Sequence, residues 1–458
     1  MIKRYTPKRI GQVWLLHRKF KMWLQVELAV IKARELRGEY PVGTHQRIKD
    51  AARFTAREIE QREKEIEHDL QAFVDVVRQY LPVELQGKFH ELVTSYDTED
   101  PAMALLLRLA LKEITRDLDA LIDATCHQAS AHQWTYCMGI THGQDGQVIT
   151  YAARLLVYLD GLRQSRESLQ FVGSQLEMTK CSGAMGTYGS LTPELEADIL
   201  KLLGLRVRPA ASQIVLRDSM ARLLSEIAIL GGVLEKMAMD NYILGQTAYR
   251  EVLEPRKKKQ KGSSAMPHKK NTIMNERERG MPRALRGYAH AAMENIATPL
   301  ERDISQSSVE RIILPDSTIL ISYMLQLMTK IVSGMEVQRD RMAKGIQRTF
   351  GCWASEQVKT VLCEQLCTPE HGFTADDVYY FVQGCAFKAM EEERDLGYAL
   401  RQSLFPRSDA EGARLLRDMI PVGCLDPCFD FKKALQQNMP VVYQRNGLDL
   451  TAALEPNC

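Results

Sequence analysis

What constrains this chain most is an apolar residue recurring every three or four positions: Leu107, Leu111, Ile114, Leu118 and Leu121 form a stripe, with Lys112, Glu113, Arg116 and Asp117 mostly off it. That spacing follows the 3.6-residue turn of an α-helix and not the two-residue repeat of a strand. Comparable patterns occupy about 150–178, 216–245, 278–298 and 316–348, with few Gly or Pro inside them, while strand-like alternation bounded by turns is scarce. The expected fold class is all-α, with an extended bundle of antiparallel long helices. Helices this long and apolar bury more than one face, which predicts an oligomer. Residues 96–102 read as a linker that starts a helix, and Thr349-Phe-Gly-Cys-Trp353 separates a helical tail. Three domains are expected: an N-terminal helical domain at 1–100, a central long-helix bundle at 101–350 and a C-terminal helical domain at 351–458.

With 458 residues, 45% hydrophobic and 26% charged, the chain can bury a large core. Sixty basic residues face fifty-eight acidic ones, a net charge of +2, so there is no broad electrostatic footprint for nucleic acid or an anionic membrane. Anion recognition must be local, and the expected partner is a small molecule. Ten cysteines are scattered, and the nearest pairs, Cys363/Cys367 and Cys424/Cys428, lack zinc-site spacing. Reduced thiols in the cytoplasm are expected, with no metal. The apolar run from Thr318 to Val332 is interrupted by Ser322, Gln326 and Lys330 and falls short of the roughly 20 apolar residues of a bilayer span. It reads as a helix buried among helices.

One stretch carries chemistry. Gly262-Ser-Ser-Ala-Met-Pro-His-Lys-Lys-Asn271 follows the basic run from Arg256 to Lys261. Its backbone N–H groups, hydroxyls, amide and ammonium charges can surround an anionic oxygen. An enolate-like carbanion offers such an oxygen: removing a proton from carbon beside a carboxylate moves charge onto the carboxylate, where fixed donors lower the barrier. A serine can be the base if positive groups stabilise its alkoxide. Alternatively, Ser263 or Ser264 only caps the helix that follows. The basic run itself reads as a lid segment or a solvated stretch before it reads as a nucleic-acid patch.

The ten residues from Gly262 to Asn271 resemble the GSSxMPxKxN loop of the fumarase/aspartase superfamily, in particular its branch acting on succinylated purine nucleotides. The resemblance runs from Arg4-Tyr5-Thr6 to Leu425-Asp-Pro427. It implies an all-α fold of three helical domains whose central bundles assemble into a twenty-helix core in a homotetramer, with active sites shared between subunits. It also implies anti β-elimination of fumarate from an N-succinylated purine nucleotide and from a succinylated aminoimidazole carboxamide ribotide, with no cofactor. By position in the motifs, Ser264 is the base, and Lys269 and Asn271 hold the carboxylate that takes up charge. Glu276 orients the histidine acid and Arg277 binds substrate. Thr141-His142-Gly143 resembles the motif of the general acid, His142; imidazole suits donation near neutral pH. Glu67-His68-Asp69 resembles the segment whose histidine, His68, assists it and whose Asp69 touches substrate. His90, Thr94 and Ser95 match a segment that lines the site and binds a succinyl carboxylate, and Gln213 in Ser212-Gln-Ile-Val-Leu-Arg-Asp218 matches a second carboxylate ligand. Arg4, Tyr5, Arg302, Ser307 and Arg311 match the residues around a nucleotide phosphate, which two arginines can hold with charge-assisted bonds.

The sequence departs from that pattern at five places. Leu92 stands where a glycine is expected, Asp145 and Val148 replace two prolines after Thr-His-Gly-Gln, Thr272 replaces a proline, and Gln306 a histidine. None removes a proposed catalytic group. They leave open a paralogous fumarate-releasing C–N lyase with another succinylated substrate, and an inactive oligomeric scaffold as a third reading.

Overall fold

A computed structural model describes residues 1–405 and 414–451; of the expected C-terminal domain, 406–413 and 452–458 lie outside the described residues. The elements that position the site are, in chain order, helix α1 (Leu16–Leu36), α2 (Asp69–Tyr80) and α3 (Ser95–Ala131), strands β1 (Tyr136–Thr141) and β2 (Gln144–Thr150), then α4 (Tyr151–Leu176), α5 (Asp218–Leu244), α6 (Ile273–Gly280), α7 (Pro282–Glu294), α8 (Ser305–Gly334) and α9 (Arg339–Gln347). The all-α expectation holds: among the described residues, the only sheets beside the helices are two-stranded ladders. The stripe that predicted α3 is its buried face: Leu107, Ile114, Leu118 and Leu121 are fully buried, and Leu111 lies at the edge.

Three readings of element boundaries are corrected. Residues 96–102 are no linker but the first turns of α3, and Pro101 stands inside that helix at the loss of one backbone donor. The pattern read as one helix at 278–298 is two, because Pro282 opens α7 at a position where a missing N–H is harmless. The pattern at 316–348 also divides: α8 ends at Gly334, and Glu336–Val337 pairs antiparallel with Val252–Leu253 before α9 begins. A Cβ at Gly334 would lie 2.8 Å from the Pro255 ring, so a larger residue there would push this crossing apart.

The chain forms two compact units, one of residues 1–122, 161–238 and 276–329, the other of 123–160, 239–275 and 330–458. In the first, Phe20, Trp23, Phe73 and Phe89 pack at tilted, stacked and edge-on angles around α1 and α2, an arrangement that adds specific ring contacts to apolar burial. The same unit buries charge. Arg217, 2% exposed, meets Glu310 at 2.8 Å and Asp100 at 3.0 Å, and its remaining nitrogen donates to the Val215 carbonyl at 2.9 Å. In the second unit, Ala354, Val358, Leu362, Val378, Leu396, Leu400 and Leu416 form a separate apolar cluster. Helix α8 is long and apolar enough to span a bilayer, but 67% of its most apolar window is buried inside the fold, as a core helix requires.

Removing Arg217 leaves two buried carboxylates without a counter-charge. Arg217→Met is expected to destabilise the fold by about 3–5 kcal/mol, seen as a lower denaturation midpoint. A change below about 1 kcal/mol would place this cluster among weak surface-like pairs.

Candidate active site

The Gly262–Asn271 loop lies in the second unit, and its two serines do different things. Ser263 Oγ accepts from the N–H groups of Ala265 at 3.3 Å and Met266 at 3.1 Å, closing a local turn. Neither serine caps a helix, because α6 begins only at Ile273; Ser263 closes this turn, and Ser264 is exposed on it. Lys269, also exposed, donates its backbone N–H to the Met266 carbonyl at 3.0 Å, and Asn271 is half-buried where the loop enters α6. A Cβ at Gly262 would collide with the Lys269 carbonyl, so only glycine lets the two ends of the loop approach. The loop's exit is held by Glu254, whose carboxylate accepts from the N–H groups of Met274 and Asn275 at the start of α6, at 3.1 and 3.2 Å.

His142 occupies a place that helical periodicity could not show. Strands β1 and β2 pair with Thr141 opposite Gln144, leaving His142 and Gly143 as a two-residue hairpin turn with φ of 54° and 75°. Two consecutive positive φ values define the turn whose twist suits a hairpin. The imidazole is exposed at its tip. Asp145, a departure that adds a negative charge close by in sequence, is neutralised: Arg348 grips it through two nitrogens at 2.9 and 2.7 Å.

In the first unit the binding candidates gather around the starts of α2, α3 and α8. Arg311 of α8 donates to Asp69 at 2.8 Å, and Lys19 reaches the same carboxylate oxygen at 3.0 Å. Burial opposes the Asp69 charge, but Lys19 and Arg311 more than offset it and hold the carboxyl below its usual range. Arg302 donates to Gln213 Oε1 at 2.9 Å, lies 4.0 Å over the Tyr96 ring and keeps its Nε–H buried without a protein partner. Arg277 donates to the Tyr323 hydroxyl at 2.8 Å, and the Tyr323 ring meets Tyr5 edge-on at 5.1 Å. Arg4 is exposed beside Tyr5 in the same short 3₁₀ helix, Lys3–Tyr5.

Other candidates are held by local structure. His68 is the N-cap of α2, its Nδ1 accepting from the Gln71 N–H at 3.3 Å, a weak cap that leaves the rest of the ring available. His90 lies 2.8 Å from the buried Glu27; burial opposes a charged ring, but this carboxylate prevails and raises the imidazole above its ordinary range. Leu92, in the place expected for glycine, has φ of 58°, so the chain keeps the left-handed conformation while paying a side-chain strain that glycine avoids. Thr94 precedes α3 and gives its N–H to Asp97 at 3.0 Å, and Ser95 is the helix's first residue. Glu276 is exposed on α6, and the departure Gln306 is buried with its amide 3.4 Å from the Tyr96 hydroxyl.

A cavity of about 230 Å³ in the first unit is lined by Ser307 and Arg311, together with Lys19, Trp23, Tyr96 and Glu99. Glu99 belongs to no motif and lies in the 96–102 stretch, so sequence alone does not single it out. Burial, with repulsion from Asp69, pushes its carboxyl up to about 7. Lys180, buried within the same unit, was also missed, since a lysine outside any motif is ordinarily solvated.

The fold is shared with solved structures: a fumarate lyase from Mesorhizobium sp., at a TM-score of 0.82, 21% identity and coverage of 98% of this chain and 99% of that one, and a 3-carboxy-cis,cis-muconate lactonizing enzyme from Pseudomonas putida, at 0.82, 24% and 97% of each. A family described as "Lyase" matches residues 17–287. Helical bundle and matched segment together define a lyase of the fumarase/aspartase superfamily. Over 97% of its length, the chain is 38% identical to an adenylosuccinate lyase of Aquifex aeolicus, covering 98% of that protein, and 36% identical to one of Synechocystis sp., covering 99%. The chain belongs to the adenylosuccinate lyase family.

The Glu99 carboxyl gives the cavity a pH dependence. Its folded pKa of about 7 lies above the ordinary 4.5, so it is neutral in acid and adds a negative charge beside Arg311 and Ser307 as pH rises through 7. Asp69, Asp100, Lys19 and Arg311 are the charged groups that face it. Inorganic sulfate, a dianion throughout this range, is expected to bind more weakly at pH 8 than at pH 6, and Glu99→Gln to remove most of that difference in calorimetric titration. An identical pH dependence in parent and variant would exclude Glu99 as its source.

Proposed function

We propose that this chain releases fumarate from an N-succinylated purine nucleotide, converting adenylosuccinate to AMP, and from the succinylated aminoimidazole carboxamide ribotide in purine biosynthesis. The alkoxide of Ser264 takes the proton from carbon beside a carboxylate. The electron pair left on carbon forms the fumarate double bond as the C–N bond breaks, and the nitrogen receives a proton from His142. Lys269 and Asn271 hold the carboxylate on which charge accumulates, so the stabilisation is greatest in the transition state. His68 assists the acid, Glu276 orients it, and Thr94, Ser95, His90 and Gln213 fix the succinyl carboxylates. Arg302, Ser307, Arg311, Arg4 and Tyr5 take the phosphate, and Asp69 and Arg277 contact the remainder. The elimination is redox-neutral, and its proton transfers are all assigned to side chains.

The observation that carries this reading is the division of labour in the loop: Ser263 takes the turn's hydrogen bonds and Ser264 presents a free hydroxyl between glycine and lysine, in a chain related end to end to adenylosuccinate lyases. The exposed apolar side chains of the long helices, Val157, Phe171, Ile229 and Ile312 among them, fit a homotetramer in which sites are completed by neighbouring subunits. The three-domain division at about 100 and 350 and a cytoplasmic location belong to the same reading.

The purified protein is expected to release fumarate from both nucleotides, read by absorbance, and not from argininosuccinate; release from neither nucleotide would remove this function. Ser264→Ala is expected to lower kcat by about 10²–10⁴-fold with the oligomer intact on a sizing column. Parent-like turnover would overturn the assignment of the base.

A further inference from the structure

Lys180 is a buried lysine, and every hydrogen-bond donor it has is used. Its Nζ lies 2.7 Å from Asp97 Oδ1, 2.7 Å from the Gly183 carbonyl and 3.0 Å from the Gln213 carbonyl. An ammonium has three N–H groups, so this tripod satisfies it completely, and the Asp97 carboxylate, itself fully buried, balances its charge. Two of the three feet, Asp97 and Gln213, end on segments that carry proposed substrate contacts, and the third ends on Gly183. Asp97 also accepts the Thr94 N–H at 3.0 Å and returns its own N–H to the Thr94 carbonyl at 2.9 Å, which sets Thr94 and Ser95 at the start of α3. Gln213, held by its carbonyl, turns its side-chain oxygen to Arg302 at 2.9 Å. Gly183 gives both backbone groups to the pair, its N–H reaching Asp97 at 3.1 Å, and has φ of 80° with the Tyr188 carbonyl 2.8 Å from where a Cβ would stand. A side chain at that corner would collide with the Tyr188 backbone.

From this arrangement we infer that Lys180 is a positioning residue for substrate binding: it fixes the distance between the Thr94–Ser95 hydroxyls and the Gln213–Arg302 pair, and so the spacing at which succinyl carboxylate and phosphate are received. This rests on the proposed function, since it concerns the same site. Lysine suits the role because one nitrogen atom directs three divergent N–H groups; a planar guanidinium cannot reproduce that geometry. The charge is needed as well, because a neutral residue would strand the Asp97 carboxylate in the interior.

The test pairs Lys180→Met with Asp97→Asn, removing both charges so that neither is left buried alone. Folding is checked by melting temperature and oligomer size, and fumarate release from adenylosuccinate gives KM and kcat. A positioning role predicts a folded double variant whose KM rises about ten- to a hundredfold, with kcat changed far less and AMP bound correspondingly more weakly in calorimetry. A merely structural role lowers the active fraction, and hence apparent kcat, while KM and AMP affinity stay at the parent values; that result overturns the inference. Should the double variant not fold, Lys180→Arg is read in the same assays with the same two outcomes. A parent protein that releases no fumarate removes the proposed function and this inference with it, whereas parent turnover with unchanged KM in the folded variant removes the inference alone.

Discussion

Two carboxylates one helical turn apart, Asp97 and Asp100 on α3, constrain much of the first unit. Asp97 is bound by Lys180, and Asp100 by Arg217, which also takes Glu310 of α8. Asp100 further accepts the Val215 N–H at 2.9 Å, so both acids hold the segment around Gln213, one through lysine and one directly. Pairs like these contribute little net stability, because removing charge from water costs several kcal/mol per ion before the partners attract. Their effect is on geometry. Any slip of the 180–217 segment along α3 would leave a charge buried and alone, so alternative packings lie far above the observed one in energy. The long apolar stripes drive the helices together without fixing their register to a fraction of an ångström; the buried charges supply that register where the proposed substrate contacts sit.

How far function could be read from sequence follows from the kind of signal each feature left. The stripe from Leu107 to Leu121 is a repeated pattern over several turns, and it gave both α3 and its buried face. The breaks at Pro282 and Gly334 were passed over because apolar spacing continues on both sides and outweighs one interrupting residue. The β1–β2 hairpin was missed although its turn signal, a His-Gly pair able to take two positive φ values, was there to be found. The loop serines were legible only as a pair. Which of them closes the turn depends on hydroxyl direction, which composition does not carry, and the geometry gives that role to Ser263. Lys180 and Glu99 left no pattern, because burial decides what a charged residue does and burial is a property of the fold.

The departures from the family pattern take on physical meaning in the structure. Leu92 adopts a left-handed backbone conformation that glycine would take without strain. Asp145 is tied to Arg348 and no longer counts as a free negative charge near the imidazole of His142. Neither change touches the hydroxyl, the imidazole or the arginines, which weighs against a different leaving group as the reason for them.

The central claim is that a loop hydroxyl and a hairpin imidazole act from opposite sides of one bound substrate. A crystal structure of the assembled Ser264→Ala protein soaked with adenylosuccinate tests this most directly. The expected density places the phosphate on Arg302, Ser307 and Arg311, the His142 imidazole about 3 Å from the nitrogen to be released, and residue 264 across the C–N bond from it. An ordered substrate with residue 264 and His142 on the same side, or with neither near the bond to be broken, would contradict it.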